Sequence, residues 1–134
     1  YVNKKKLDKN IFFLEYVEDE YLPYLYHKAS MLVMPSLIGP TNIPPWEAFK
    51  MKKPVIYSDI EGIREVLGDA VYYIDPLNKH SIVDGIKKIF SSAELKNKLI
   101  EKGFNKLKEI EEKHEFKKFF KIIEDYEKRR RLWK

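Results

Sequence analysis

The 134-residue chain contains no cysteine. That excludes a disulfide framework, thiol chemistry and a thiolate metal site, and it suits a reducing compartment such as the cytoplasm. No apolar run approaches the roughly 20 residues that span a bilayer, and the first residues lack the pattern of a signal peptide. The Gly-x-x-x-x-Gly-Lys-Ser/Thr, Gly-x-Ser-x-Gly and His-Glu-x-x-His signatures do not occur, so no motif points to a P-loop, a nucleophile elbow or a zinc protease. His27, His80 and His114 have no mutual spacing that suggests a metal site, and each sits among charges as a surface residue would. Internal repeats are absent too.

What is present fits one packed domain. Hydrophobic residues make up 44% and aromatics 14% of the chain, enough for a core at this length. The net charge of +5 comes from 26 basic against 21 acidic residues. Such a mixed surface favours anionic partners, among them nucleotides, nucleic acid and acidic lipid, and selects none of them. The chain opens on Tyr1 rather than methionine, so the expectation is a piece of a longer protein.

Read in order, Ile11 to Leu14 is a compact apolar run expected to form a short buried strand. The acidic cluster Glu18-Asp19-Glu20 suits a helix start, and Leu22, Leu25, Tyr26 and Ala29 continue at helical spacing to about Ser30. Met31 to Met34 is the next strand. Pro35 and Ser36 stop it, a loop with Gly39, Pro40, Thr41 and Asn42 follows, and Pro44 to Phe49 reads as a helix. Further strands are expected at Pro54 to Ser58 and Ala70 to Ile74, with a short helix from Ile63 to Leu67 between them. Helices then follow from Lys79 to Phe90, from a cap at Ser91 or Ser92 onward, and from Glu115 to Arg130. Four strands alternating with helices predict an α/β fold with a parallel sheet, its two terminal helices on the sheet flank or on another domain.

Residues 31–49 (MLVMPSLIGPTNIPPWEAF) are the most informative stretch. A strand running through a small-residue loop into a helix start is how α/β proteins build anion sites, from unpaired N–H groups and the helix dipole. Glu47 has two readings at this level. It complements the dipole, for about 0.3–1 kcal/mol, or it binds a ligand. Thr41 and Asn42 serve as turn and capping residues, as ligand contacts, or as both. Trp46 reads as a core anchor behind the loop.

The order NIFFLEYVEDEYLPYLYHKASMLVMPS, a loop, then PPWEAFKMKKPVIYSDIEGIREVLGDAVYYIDPLN resembles the C-terminal, nucleotide-sugar-binding half of GT-B glycosyltransferases of the retaining group 1, or family 4, type. The resemblance covers roughly residues 8–90. It implies a Rossmann-like parallel sheet with flanking helices, residues 1–134 forming a single partial donor-binding domain with an α/β core over 1–90 and C-terminal helices over 91–134. Family members carry two glutamates separated by seven residues. The second binds the nucleotide ribose and aligns with Glu47, whereas the first aligns with Gly39, so here the pair is broken. The resemblance also places the backbone of Asn42, Ile43 and Pro44 near the diphosphate or donor sugar, with the N–H groups of Thr41, Asn42 and Ile43 as its donors, and the base near Tyr16 and Val17, where Glu15 stands in place of a glycine; Ser36 either reaches the ligand or only ends the strand.

The same resemblance implies a nucleotide-diphosphate sugar as substrate, no separate cofactor, no metal and no nucleic-acid partner. Two strands with a glycine-rich turn and a basic diphosphate clamp, which usually open this domain, are not in the chain, and neither is an acceptor domain. By itself the fragment is expected not to catalyse transfer, and unpaired sheet edges invite homo-oligomers. A nucleotide-sugar epimerase of the same fold and a non-catalytic assembly module are the alternatives. Lys128, Arg129, Arg130, Arg131 and Trp133 form a basic end suited to peripheral contact with anionic lipid, each basic residue giving about 1 kcal/mol.

Overall fold

The computed structural model describes residues 2–39 and 43–112. Thr41, Asn42, the helix expected over 115–130 and the basic end at 128–134 lie outside the described residues. Three parallel strands, β1 (Leu32–Met34), β2 (Val55–Ser58) and β3 (Tyr72–Ile74), form a sheet in the order β1-β2-β3. Leu32 pairs with Val55 and Met34 with Tyr57, while Ile56 pairs with Tyr72 and Ser58 with Ile74. Among the described residues five α-helices accompany them, α1 (Leu22–Lys28), α2 (Pro44–Lys50), α3 (Ile63–Leu67), α4 (Lys79–Ser91) and α5 (Ala93–Glu112), with a single 3-10 turn at Asn3–Lys5.

Every residue of β2 is buried, as a central parallel strand covered on both faces must be. Successive side chains point to opposite faces. Val55 and Tyr57 therefore enter one core with Ala48 and Phe49 of α2, Ile63 and Leu67 of α3, and the partly buried Tyr26 of α1. Ile56 enters the other with Ile74, Ile89 of α4 and Leu99 of α5. The long α5 joins the two: Leu95 and Leu99 pack in the second core and Leu107 on the first. Between them Gly103 meets the Phe49 ring so closely that an added Cβ would sit 2.4 Å from Cδ1. Asn78 caps α4 by accepting from the His80 N–H at 3.0 Å, and the Ser92 hydroxyl accepts from the Leu95 N–H at 3.1 Å as the cap of α5.

The α/β class, the parallel sheet and the three later strands agree with the sequence expectation; two elements differ. The run Ile11 to Leu14 forms no strand, and its Phe12 and Phe13 are 76% and 77% exposed. A strand exists only through its ladder, and among the described residues β1 pairs with β2 alone, so the run has no neighbour to bond. The helix expected to begin at Glu18 begins instead at Leu22, with Glu18-Asp19-Glu20 in the preceding turn. Pro23 sets that boundary. Started at Glu18, the helix would carry Pro23 past its first turn, against the carbonyl of Asp19, whereas a proline at the second position fits.

Candidate functional site

Because the strands are parallel, Met34, Ser58 and Ile74 end on one edge of the sheet, where open α/β sheets place their ligands. The loop after β1 begins there. Gly39 has φ +94°, in the region that favours glycine, and its carbonyl accepts from the Tyr57 hydroxyl at 2.9 Å. The buried central strand thus pins the loop. Ser58, also fully buried, donates from its hydroxyl to the Met34 carbonyl at 3.4 Å.

The start of α2 departs from a simple anion site. Pro44 and Pro45 have no N–H, and the N–H groups of Trp46 and Glu47 both bond to the Ile43 carbonyl, at 2.9 and 3.3 Å. Of the first donors of this seven-residue helix, the Ile43 N–H is the one left among the described residues. The prolines explain the difference: they help set the helical geometry but remove the donors that an oxyanion would need. Trp46 packs edge-on to Phe49, with ring centroids 5.6 Å apart.

Glu47 is half-buried in the first turn of α2, and its Oε2 accepts a 2.8 Å hydrogen bond from the Tyr26 hydroxyl of α1. Burial first, then the bond to Glu47 and its negative charge, push the Tyr26 phenol above its ordinary value. The two side chains line an open groove of about 400 Å³ between α1 and α2, with Asp19, Leu22, Pro23, Lys50 and Met51. Tyr16 and Val17 lie elsewhere, in a shallow groove with Tyr21 and Tyr24 on the other side of α1. Ser36 is half-buried just past β1 and Ile43 is exposed ahead of α2. Sequence reading placed Glu47 correctly at a helix start, yet it counted Tyr26 only as a member of an apolar stripe. A tyrosine on such a stripe needs a partner for its hydroxyl, and that was the signal for the bond.

The next strand-end loop carries an exposed, two-pronged ion pair. Arg64 donates from Nε and Nη2 to the two oxygens of Asp59, at 2.8 and 2.6 Å, and stacks on Tyr73 with 4.2 Å to the ring centroid. Those bonds hold the Asp59 carboxyl below the usual carboxylate range.

The sequence profile described as glycosyl transferases group 1 matches residues 1–106. The chain belongs to this family. Among curated relatives of this group 1 chain, the O-antigen chain mannosyltransferase RfbU of Salmonella typhimurium is 39% identical over 84 residues, covering 63% of this chain and 24% of the relative. The O-antigen chain mannosyltransferase B of Escherichia coli is 42% identical over 64 residues, covering 48% and 17%. Sucrose-phosphate synthase from Thermosynechococcus elongatus has the same fold, with a TM-score of 0.72 at 19% identity over 90% of this chain and 33% of that one. The group 1 chain thus spans about a quarter or less of the curated relatives it matches.

Proposed function

We propose that this chain is the donor-binding part of a retaining glycosyltransferase that moves a sugar from a nucleotide-diphosphate sugar to an acceptor in glycan or glycoconjugate synthesis. The observation that carries the reading is Glu47. A half-buried carboxylate faces a groove beside the loop at the C-terminal edge of a parallel sheet, in a chain of the group 1 family. A carboxylate offers acceptors to the hydroxyls of a ribose, and hydrogen bonds to an ionised group are the strong ones. Two relatives named as O-antigen chain mannosyltransferases support a mannosyl donor and a polysaccharide acceptor.

In such a transfer the bond from the sugar carbon to the diphosphate breaks, a bond to an acceptor oxygen forms, and the acceptor proton is released. Charge developing on the diphosphate has to be met by oriented donors or cations. Ile43 offers one N–H near the loop; a basic clamp and an acceptor domain complete the machinery in the intact protein. We further propose that this chemistry uses no separate cofactor or bound metal and takes place in the cytoplasm, with the basic residues 128–131 and Trp133 resting on anionic lipid. No helix among the described residues is long and apolar enough to cross a membrane.

Calorimetric titration of the intact protein with UDP, GDP and ADP sugars tests the reading. One nucleotide should bind, and Glu47→Ala should weaken it by about 1–3 kcal/mol, the cost of losing hydrogen bonds to a charged group. An unchanged affinity would leave Glu47 a structural role alone, as the partner of Tyr26 and of the helix dipole.

A further inference from the structure

We infer that Tyr26 is a positioning residue for the donor nucleotide: its hydroxyl, carried by α1, sets the Glu47 carboxylate of α2 in the orientation that receives the vicinal hydroxyls of a ribose. This rests on the reading of Glu47 given above.

The geometry is specific. Tyr26 and Glu47 lie 21 residues apart on different helices, and the 2.8 Å bond is formed between their side chains. Two acceptors stand within reach of the one phenolic proton, Glu47 Oε2 at 2.8 Å and the Pro44 carbonyl at 3.4 Å. The shorter bond, to a charged oxygen, is the stronger. The tyrosine ring packs against the core beneath α2, so the hydroxyl is delivered from a fixed place. Its partner is then restrained at one oxygen, leaving Oε1 and the remaining lone pair of Oε2 to accept.

The donor's chemistry separates this arrangement from an ordinary structural ion pair. Among the described residues no cation pairs with Glu47, although Lys50 lines the same groove. A neutral phenol orients a carboxylate without cancelling its charge. The carboxylate stays a strong acceptor for neutral hydroxyls, which a lysine or arginine partner would weaken by competing for its lone pairs. The pair lines the open α1–α2 groove with Leu22, Pro23 and Met51, so a ligand seated there would exclude water and strengthen its own bonds to the carboxylate.

Tyr26→Phe removes the proton donor and keeps the ring. The readout is calorimetric affinity of the intact protein for the preferred nucleoside diphosphate and for its 2′,3′-dideoxy analogue, with thermal melting alongside. In the unaltered protein the dideoxy analogue should bind more weakly. Tyr26→Phe should weaken the ribonucleotide about five- to tenfold and leave the dideoxy analogue unchanged; in a Glu47→Gln background the same substitution should lose most of its effect. Equal weakening of both nucleotides, or of neither, overturns the role of Tyr26 while leaving Glu47 standing. Equal binding of ribo- and dideoxy nucleotides by the unaltered protein, or no nucleotide binding at all, overturns the ribose reading and this inference with it. If Tyr26→Phe fails to fold, the Glu47→Gln comparison between the two nucleotides still decides whether ribose is the ligand, and Tyr26→Trp, which keeps an aromatic ring and places its donor elsewhere, replaces it with the same expected nucleotide selectivity.

Discussion

At the scale of single residues, two helical glycines look alike in the sequence and differ in the fold. Replacing either by alanine gains about 1 kcal/mol of helix propensity. At Gly103 the new Cβ would lie 2.4 Å from a ring carbon of the buried Phe49. Overpacking of that kind costs about 1–3 kcal/mol, and the overlap with a ring held on all sides sits at the upper end. Gly103→Ala should therefore lower stability by about 1–2 kcal/mol net. At Gly85 the nearest atoms are Ile74 Cγ2 at 3.0 Å and the Tyr72 ring at 3.1 Å, side-chain atoms that can yield by a few tenths of an ångström. Gly85→Ala should change stability by less than about 0.5 kcal/mol. Urea titration of the two variants gives the order directly. Gly39 is a third case, decided by backbone rather than space. With φ +94° and its carbonyl tied to Tyr57, it cannot be exchanged for a residue with a side chain without backbone strain.

Among elements, the loops after β2 and before β3 are fastened by exposed ion pairs. Asp59 binds Arg64 at the start of α3, and Asp69 binds Lys102 of α5. Hydrogen bonds from these partners hold both carboxyls below their ordinary values. A carboxyl lowered in the folded state stabilises above its unfolded value, near about 3.9, and loses that contribution as pH falls through the folded value. The double variant Asp59→Asn, Asp69→Asn should be less stable than the parent at pH 7 and indistinguishable from it near pH 2, as read from urea midpoints. Exposure keeps the effect small.

Elements were also where sequence reading succeeded and failed. The helix Ile63–Leu67 was legible to the residue, since Gly62 and Gly68 punctuate both ends. The run Ile11 to Leu14 was misread because four apolar residues carry no information about which strand lies beside them. The Tyr26–Glu47 bond was missed for the same reason: contacts across 21 residues belong to the packing of α1 on α2, which local pattern does not encode.

For the molecule as a whole, the longest continuous run of exposed apolar side chains among the described residues, Ile11 to Leu14, lies before β1. Phe12, Phe13, Leu14, Tyr16 and Tyr24 are each more than 60% exposed, and the outer side of β1 is unpaired among the described residues. Apolar patches and free strand edges both drive association. The isolated 134-residue chain should self-associate with rising concentration in sedimentation velocity, and Phe12→Ser with Phe13→Ser should shift it toward monomer without lowering its melting temperature. A chain that stays monomeric throughout would mean that this segment is screened in solution.

The path of α5 sets an order for folding during synthesis. Strands β1, β2 and β3 are neighbours in both sequence and space, so the sheet can assemble as it leaves the ribosome, N-terminal parts first. The Phe49 ring, however, is sealed by Gly103, and Leu107 packs on the same core only after that. Until those residues emerge, the nascent chain carries a finished sheet whose covering helix α2 leaves the Phe49 ring open to solvent. A translational pause that keeps Leu99 to Leu107 inside the ribosome would prolong that vulnerable interval, whereas one that falls after they have emerged would not.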